Sequence, residues 1–287
     1  MAFYLPFVGA FFEASLAILL KKIFNKNSID FRHYLSYTFG AIVLVSLPLI
    51  YFLFSVGDGA MRASSLIIFG FMIFVSILAN YFMFYSLKHE DLAKIEPIRL
   101  MQPLFVILMV FGLSFFFSIY ESERNYLILG LALVASLSLV LAHIRKDHFV
   151  FDKYSVAALF SSLFFGIEFV ISRPLLEFYS PFTFYFIRSL VIFFIGWTFF
   201  HPNFVPLKNG TKWLFLITGA GAVIYRVILY YGYLTLGVIY TTTVFIMAPV
   251  LVYIFAAMFL KEKITKRQIV SSVVIVACVV GAMWVGG

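Results

Sequence analysis

Long apolar runs, each closed by a short charged stretch, follow one another along the whole chain. Ten can be counted, at about 3–20, 34–54, 64–87, 95–118, 126–144, 154–172, 181–200, 212–234, 238–260 and 268–285. Each approaches the roughly 20 apolar residues a helix needs to cross a bilayer. No soluble domain has room between them. The pattern predicts an all-α membrane protein of ten transmembrane helices.

Composition agrees. The 287 residues are 63% hydrophobic and 12% charged, whereas a soluble domain carries about 25% charged residues. The first run lacks the basic leader of a signal peptide, and Lys21 and Lys22 follow it where small residues would precede a cleavage site. One cysteine, Cys278, stands in the last span, so the sequence offers no disulfide and no thiolate metal site.

The net charge of +8 is distributed for a membrane and not for nucleic acid. Lys21, Lys22, Lys26 and Arg32 flank the first connection; Lys88 and Lys94 the third; Arg145, Lys146 and Lys153 the fifth; Lys208 and Lys212 the seventh; Lys261, Lys263, Lys266 and Arg267 the ninth. Only Arg62, Arg124 and Arg173 flank the even connections. This positive-inside bias predicts cytoplasmic odd connections, both termini outside, and residence in the cell membrane.

The two halves share landmarks. Span four contains QPLFVILMVFGL (102–113) and span nine APVLVYIFAAMFL (248–260), with Pro103 and Pro249 as matching residues. Each run leads to an acidic loop, with Glu121 in the first half and Glu262 in the second, and then to a span rich in small residues. Lys21 closes span one much as Arg173 closes span six. Five spans per half would set the second half upside down, the inverted-repeat plan of many secondary transporters. The expected units are residues 1–146 and 147–287.

With its ten spans, the proline in spans four and nine, and LKEKITKRQIV (260–270) after span nine, the chain resembles the drug/metabolite transporter superfamily, specifically its EamA-type members. ESERN (121–125) departs from the Gly-Glu-apolar-Thr pattern common in such loops. The resemblance implies a polytopic carrier of small metabolites, commonly an exporter of amino acids or related compounds. The stretch GAFFEASLAILLKK (9–22) is similar to the first helix of the small multidrug resistance proteins. That likeness implies a glutamate, here Glu13, binding protons and cationic substrate in competition.

Charge inside a span is costly, about 2.5–3.5 kcal/mol even on insertion scales. The helical neighbours of Glu13 are Gly9, Ala10, Leu16 and Ala17. Small residues let helices approach closely in lipid, so Glu13 is expected to face other helices, as a proton-binding carboxyl or as half of a structural ion pair. Glu168, Arg188 and Arg226 also lie inside spans. Either arginine can grip a carboxylate with two parallel hydrogen bonds, and that carboxylate is a substrate's or Glu168's own. Arg188, about two turns into its span, is also within snorkelling reach of the interface. Tyr225, Tyr230 and Tyr231 surround Arg226 and supply an aromatic, polar lining.

Gln102 and Asn80 add amides, and Glu96 and Arg99 stand at i,i+3 spacing. Pro103 is expected to kink span four from within, as Pro249 does span nine, and each is a candidate hinge.

These residues predict a secondary active transporter of small polar metabolites, working by alternating access and coupled to protons. No GxxxxGK[ST] signature supplies ATP binding, and no cofactor, metal or nucleic acid is implied. Its partners are a small-molecule substrate, protons and the bilayer, and ten spans serve as a monomer or a homodimer. An intramembrane enzyme is the alternative, but all five aspartates lie in loops and neither HExxH nor GxSxG occurs. A channel or receptor is the third class, opposed by the short loops and the internal repeat.

Overall fold

The computed structural model describes residues 4–26, 31–89, 95, 98–143, 152–200, 209–260 and 264–286. The boundary expected near residues 146–147, together with Glu96 and Glu262, lies outside the described residues. Eleven α-helices are described: α1 (Leu5–Lys26), α2 (Phe31–Leu53), α3 (Ala63–His89), α4 (Gln102–Ser114), α5 (Tyr126–His143), α6 (Lys153–Leu175), α7 (Pro181–Phe200), α8 (Asn209–Thr235), α9 (Val238–Phe245), α10 (Met247–Leu260) and α11 (Lys266–Gly286). A short 3₁₀ turn, η1 (Ser118–Glu123), joins α4 to α5. Among the described residues, seven helical stretches are long and apolar enough to cross a membrane, with α9 and α10 together making one of them. Leu5–Leu19, Gln102–Ser114 and Tyr126–Ala142 are shorter apolar helices. The protein is an all-helical, multi-pass membrane protein.

Helix ends are set by local chemistry. Asp152 accepts hydrogen bonds from the N–H groups of Tyr154 and Ser155 at 3.0 and 2.7 Å, capping α6. Asn125 does the same for Leu127 and Ile128 ahead of α5, both at 3.1 Å. Thr265 and Gln268 bond each other's backbone N–H groups in a capping box at the start of α11.

The helices pair between halves. α3 lies along α6, α5 along α11, α1 along α8, and α2 along both α7 and α8. Lipid supplies no hydrophobic drive between helices, so close packing and hydrogen bonds hold them. Gly9 shows the closeness: a Cβ there would collide with the Phe245 ring and stand 2.9 Å from Ile228. Serines add polar stitches. Ser161 Oγ donates to the Ala79 carbonyl across α6 and α3 at 3.0 Å. Ser271 Oγ donates to the Ser138 carbonyl at 2.9 Å, while Ser138 Oγ donates back to Ser271 Oγ at 3.2 Å.

Connections after α2, α4, α6 and α8 meet at one end of the bundle. Val56 and Tyr179 form an antiparallel bridge, with Gly57 N–H bonded to the Phe178 carbonyl at 2.7 Å and Ser180 N–H to the Ser55 carbonyl at 3.1 Å. Tyr120 of η1 donates to the Val170 carbonyl at 2.7 Å.

The spans that carry Pro103 and Pro249 are interrupted shortly before those prolines. α4 begins only after a turn at Leu100–Met101, so Pro103 sits in its first turn. This corrects the expectation of a kink from within: the missing N–H costs nothing at a helix start. α9 and α10 are separated at Ile246, three residues before Pro249.

Ser271→Ala removes both stitches to Ser138. The expected loss is about 0.6–1.7 kcal/mol, the range for single interhelical bonds in membrane proteins, read as a lower unfolding midpoint of the detergent-solubilised protein.

Candidate functional site

Four of the candidate charges gather in the middle of the bundle. Glu168 on α6 and Arg188 on α7 are fully buried side by side, with Arg188 Nη2 at 2.6 Å from Glu168 Oε1. The same Nη2 donates to Ser76 Oγ on α3 at 2.6 Å. Arg188 lies under Phe39 and Tyr185, whose ring centres are 5.9 and 5.8 Å from its guanidinium carbon, and only 2% of it is exposed. It does not snorkel. The contact with Glu168 is close but poorly aligned, so neither Glu168 oxygen accepts a hydrogen bond from the described residues.

Arg226 on α8 stacks over the Phe169 ring at 4.5 Å and over Tyr225 at 5.2 Å. Its Nε donates to the Tyr225 hydroxyl at 2.7 Å, while its buried Nη1 meets no acceptor among the described residues. Tyr230 is completely buried, edge-on to Phe184 at 5.0 Å, and its hydroxyl likewise has no partner among them. A cation over aromatic faces is stabilised without using its N–H groups. The buried, unmatched N–H of Arg226 and O–H of Tyr230 therefore leave hydrogen-bonding capacity for a ligand.

Glu13 on α1 is half-buried, and the cations whose fields reach it are Arg226 and Arg99. Its neighbours Ala10 and Leu16 are buried, and Gly9 packs on Phe245 and Ile228, so this face of α1 meets α8 and α9. Asn80 is buried, but its amide donates to the Ser76 carbonyl one turn back at 2.8 Å. Gln102 begins α4 and is half-buried.

Sequence reasoning passed over several residues that the fold brings here. Tyr185 and Ser76 flank Arg188, and Tyr233 meets the cluster through its ring, 6.2 Å from Tyr230 and 6.3 Å from Phe169. Glu123 is the largest omission. Glu121, which carried the comparison of the halves, is exposed beside Arg124, whereas Glu123 is buried. Its Oε2 accepts from Ile239 N–H at 3.0 Å, and its Oε1 accepts from Val238 N–H. These are the first two residues of α9, 116 and 115 residues away. Gly237, at the N-cap, has φ 91° and offers no side chain of its own. Burial pushes the Glu123 carboxyl above the ordinary carboxylate range, opposed by the two N–H bonds and by Arg173.

Residues 153–284 match the model of the EamA-like transporter family. Over those residues the chain is similar to EamA-like transporters. That family belongs to the drug/metabolite transporter superfamily, and its members are membrane transporters of small molecules. Glu168, Arg188, Arg226 and Tyr230 all fall within the EamA-like half, while Glu13 and Glu123 reach it from the other. One solved crystal structure of a protein superposes with a TM-score of 0.72 at 17% identity, covering 99% of this chain and 97% of that one. Likeness at that identity shows the fold alone. No match was found among curated proteins.

Two outcomes follow from this geometry. Removing one member of a buried pair leaves an uncompensated charge worth about 3–5 kcal/mol. Glu168→Gln and Arg188→Gln are each expected to reduce the yield of monodisperse protein, and the double variant is expected to recover most of it. Second, amide exchange at Val238 and Ile239 is expected to speed up in Glu123→Ala. In the parent the carboxyl takes up its proton at a higher pH than an ordinary carboxylate, so protection there fades on acidification at that higher pH, a trend Glu123→Gln lacks. Size-exclusion chromatography reads the first outcome, and hydrogen exchange followed by mass spectrometry reads the second.

Proposed function

We propose that the chain is a secondary active transporter of small polar metabolites, such as amino acids, amines or related compounds, acting as a proton-coupled exporter or exchanger. The observation that carries this reading is the buried cluster itself. Two acids and two arginines gather among aromatic rings on α1, α6, α7 and α8, with the Arg226 Nη1 and Tyr230 hydroxyl unmatched among the described residues. An arginine N–H and a phenol suit a carboxylate or another anion, and the two glutamates suit an amine or a proton.

Ten spans in two inverted five-helix repeats give the mechanism. The helix pairings support this: exchanging each span for its counterpart five places on turns the α3–α6 pair into α8–α1. The same exchange maps the α5–α11 and α2–α7 pairs onto themselves. The matching breaks at Leu100–Met101 and Ile246 are the natural hinges for Pro103 and Pro249, because irregular backbone at membrane depth marks sites and moving parts. Binding in the cluster would be followed by rocking of one half against the other, with Glu13 carrying the proton. The molecule would sit in the cell membrane with both termini outside, as monomer or homodimer.

Counterflow into proteoliposomes, with amino acids, polyamines and quaternary amines across a range of pH, tests the reading. Saturable uptake is expected, and Glu13→Gln is expected to retain exchange while losing its pH dependence. Arg226→Gln is expected to raise KM at least tenfold for substrates bearing a carboxylate and to leave simple amines little changed. Uptake as pH-dependent in Glu13→Gln as in the parent would remove Glu13 from the coupling role. No saturable uptake of any compound by monodisperse protein would count against the transport reading.

A further inference from the structure

The connection between α8 and α9 holds a feature that the cluster does not explain. Beside Gly237 lies a mostly polar cavity of about 190 Å³, lined by Glu123, Arg173, Tyr233, Thr235 and Gly237 among others. Its inner side is Tyr233, whose hydroxyl is 3.5 Å from Thr242 Oγ1 on α9 and whose ring adjoins Tyr230. The cavity therefore stands one tyrosine away from the buried cluster.

We propose that Glu123 is the latch of the gate on this side of the molecule, a positioning residue whose grip on the start of α9 keeps the cavity sealed from the cluster. The proposal rests on the alternating-access reading above and adds to it the part that opens. α9 is a short rigid piece of eight residues, all buried. It lies between two joints, Gly237 before it and the break at Ile246 after it. Its first two N–H groups are held by one side chain from the other half of the protein.

Elsewhere at this end the halves are joined differently. The Val56–Tyr179 bridge uses backbone on both sides, and Tyr120 is bonded to a backbone carbonyl of α6. Tyr120, like Tyr179 with its bond to the Ala60 carbonyl, also joins the halves through one side chain, but Glu123 is the side chain that holds the N–H groups opening α9.

The carboxylate also has a second place to go. Arg173 on α6 faces it across the cavity, and its buried Nη1 lacks a hydrogen-bond partner among the described residues. Its Nη1 lies 3.8 Å from Glu177, an ion-pair distance too long for a hydrogen bond. Glu123 thus has two sets of donors, the α9 N–H groups in the closed arrangement and Arg173 once α9 has swung away. An element with two discrete partners is what a switch requires. Movement of α9 carries Thr242 with it and parts it from Tyr233, which connects the cavity to Tyr230 and Arg226.

Gly237 makes the latch testable from its other side. Its φ of 91° suits glycine, and a Cβ there would stand 2.8 Å from Glu123 Oε1. Gly237→Ala therefore pushes the carboxylate off without removing its charge.

The test uses the full chain with Cys278, the single cysteine, changed to alanine. A reporter, Thr242→Cys, is labelled by a membrane-impermeant thiol reagent added to one face of proteoliposomes at a time. Exposed Thr235→Cys identifies the face that carries the latch. Glu123→Ala and Gly237→Ala are each expected to speed labelling from that face at least tenfold and leave labelling from the opposite face unchanged or slower. Glu123→Gln, which keeps one carbonyl acceptor, is expected to fall between and serves where Glu123→Ala gives no monodisperse protein. Equal rates in parent and variants would overturn the latch, as would faster labelling from both faces, which signals a loosened fold. The measurement needs no substrate, so the latch stands or falls separately from the counterflow result.

Discussion

A glutamate and an arginine held 2.6 Å apart with no access to water constrain everything around them. Removing such a pair from water costs several kcal/mol per ion, and only good surroundings repay it. Here the surroundings are a serine hydroxyl from α3, the faces of Phe39 and Tyr185, and the polar groups of α8. Helices from both halves must close on one point to provide them. The arrangement spends more on polar groups than a bundle needs for packing alone, which is why the middle of the molecule reads as a site.

That spending is incomplete by design of the geometry. Glu168 is close to Arg188 but not bonded along its N–H directions, and Arg226 rests on rings with its Nε on Tyr225 and its Nη1 without an acceptor among the described residues. Electrostatic neutrality is nearly met while hydrogen-bond capacity is left over. A dry, unmatched donor is expensive to keep, and the aromatic faces lower that expense for Arg226 without using up its N–H groups.

Much of this was legible beforehand. Apolar runs and the low charged fraction pointed to a helical membrane protein, and the intramembrane charges named Glu13, Glu168, Arg188 and Arg226 as residues to watch. What stayed hidden has physical reasons. Which arginine meets Glu168 depends on how α6 and α7 face each other, and residue spacing carries no trace of that. Arg188 looked able to reach the interface because depth was counted along the chain, whereas Phe39 and Ser76 enclose it from helices far away in sequence. Pro103 looked like a kink because span four was read as continuous; the turn at Leu100–Met101 moves the helix start up to the proline. Glu123 was missed since its partners are backbone N–H groups, which any residue presents, and they lie more than a hundred positions away. The second acid of ESERN was the available signal.

The packing of α1 has a consequence for the making of the protein. Its neighbours are α8, α9 and α10, which leave the ribosome roughly two hundred residues later. At ordinary synthesis rates of about 5–20 residues per second, that delay is on the order of ten to forty seconds. Throughout it Glu13 is in the bilayer without Arg226, and Gly9 without the ring it packs on. The first helix must wait in the membrane, neutral or sheltered, for a seat that is built last.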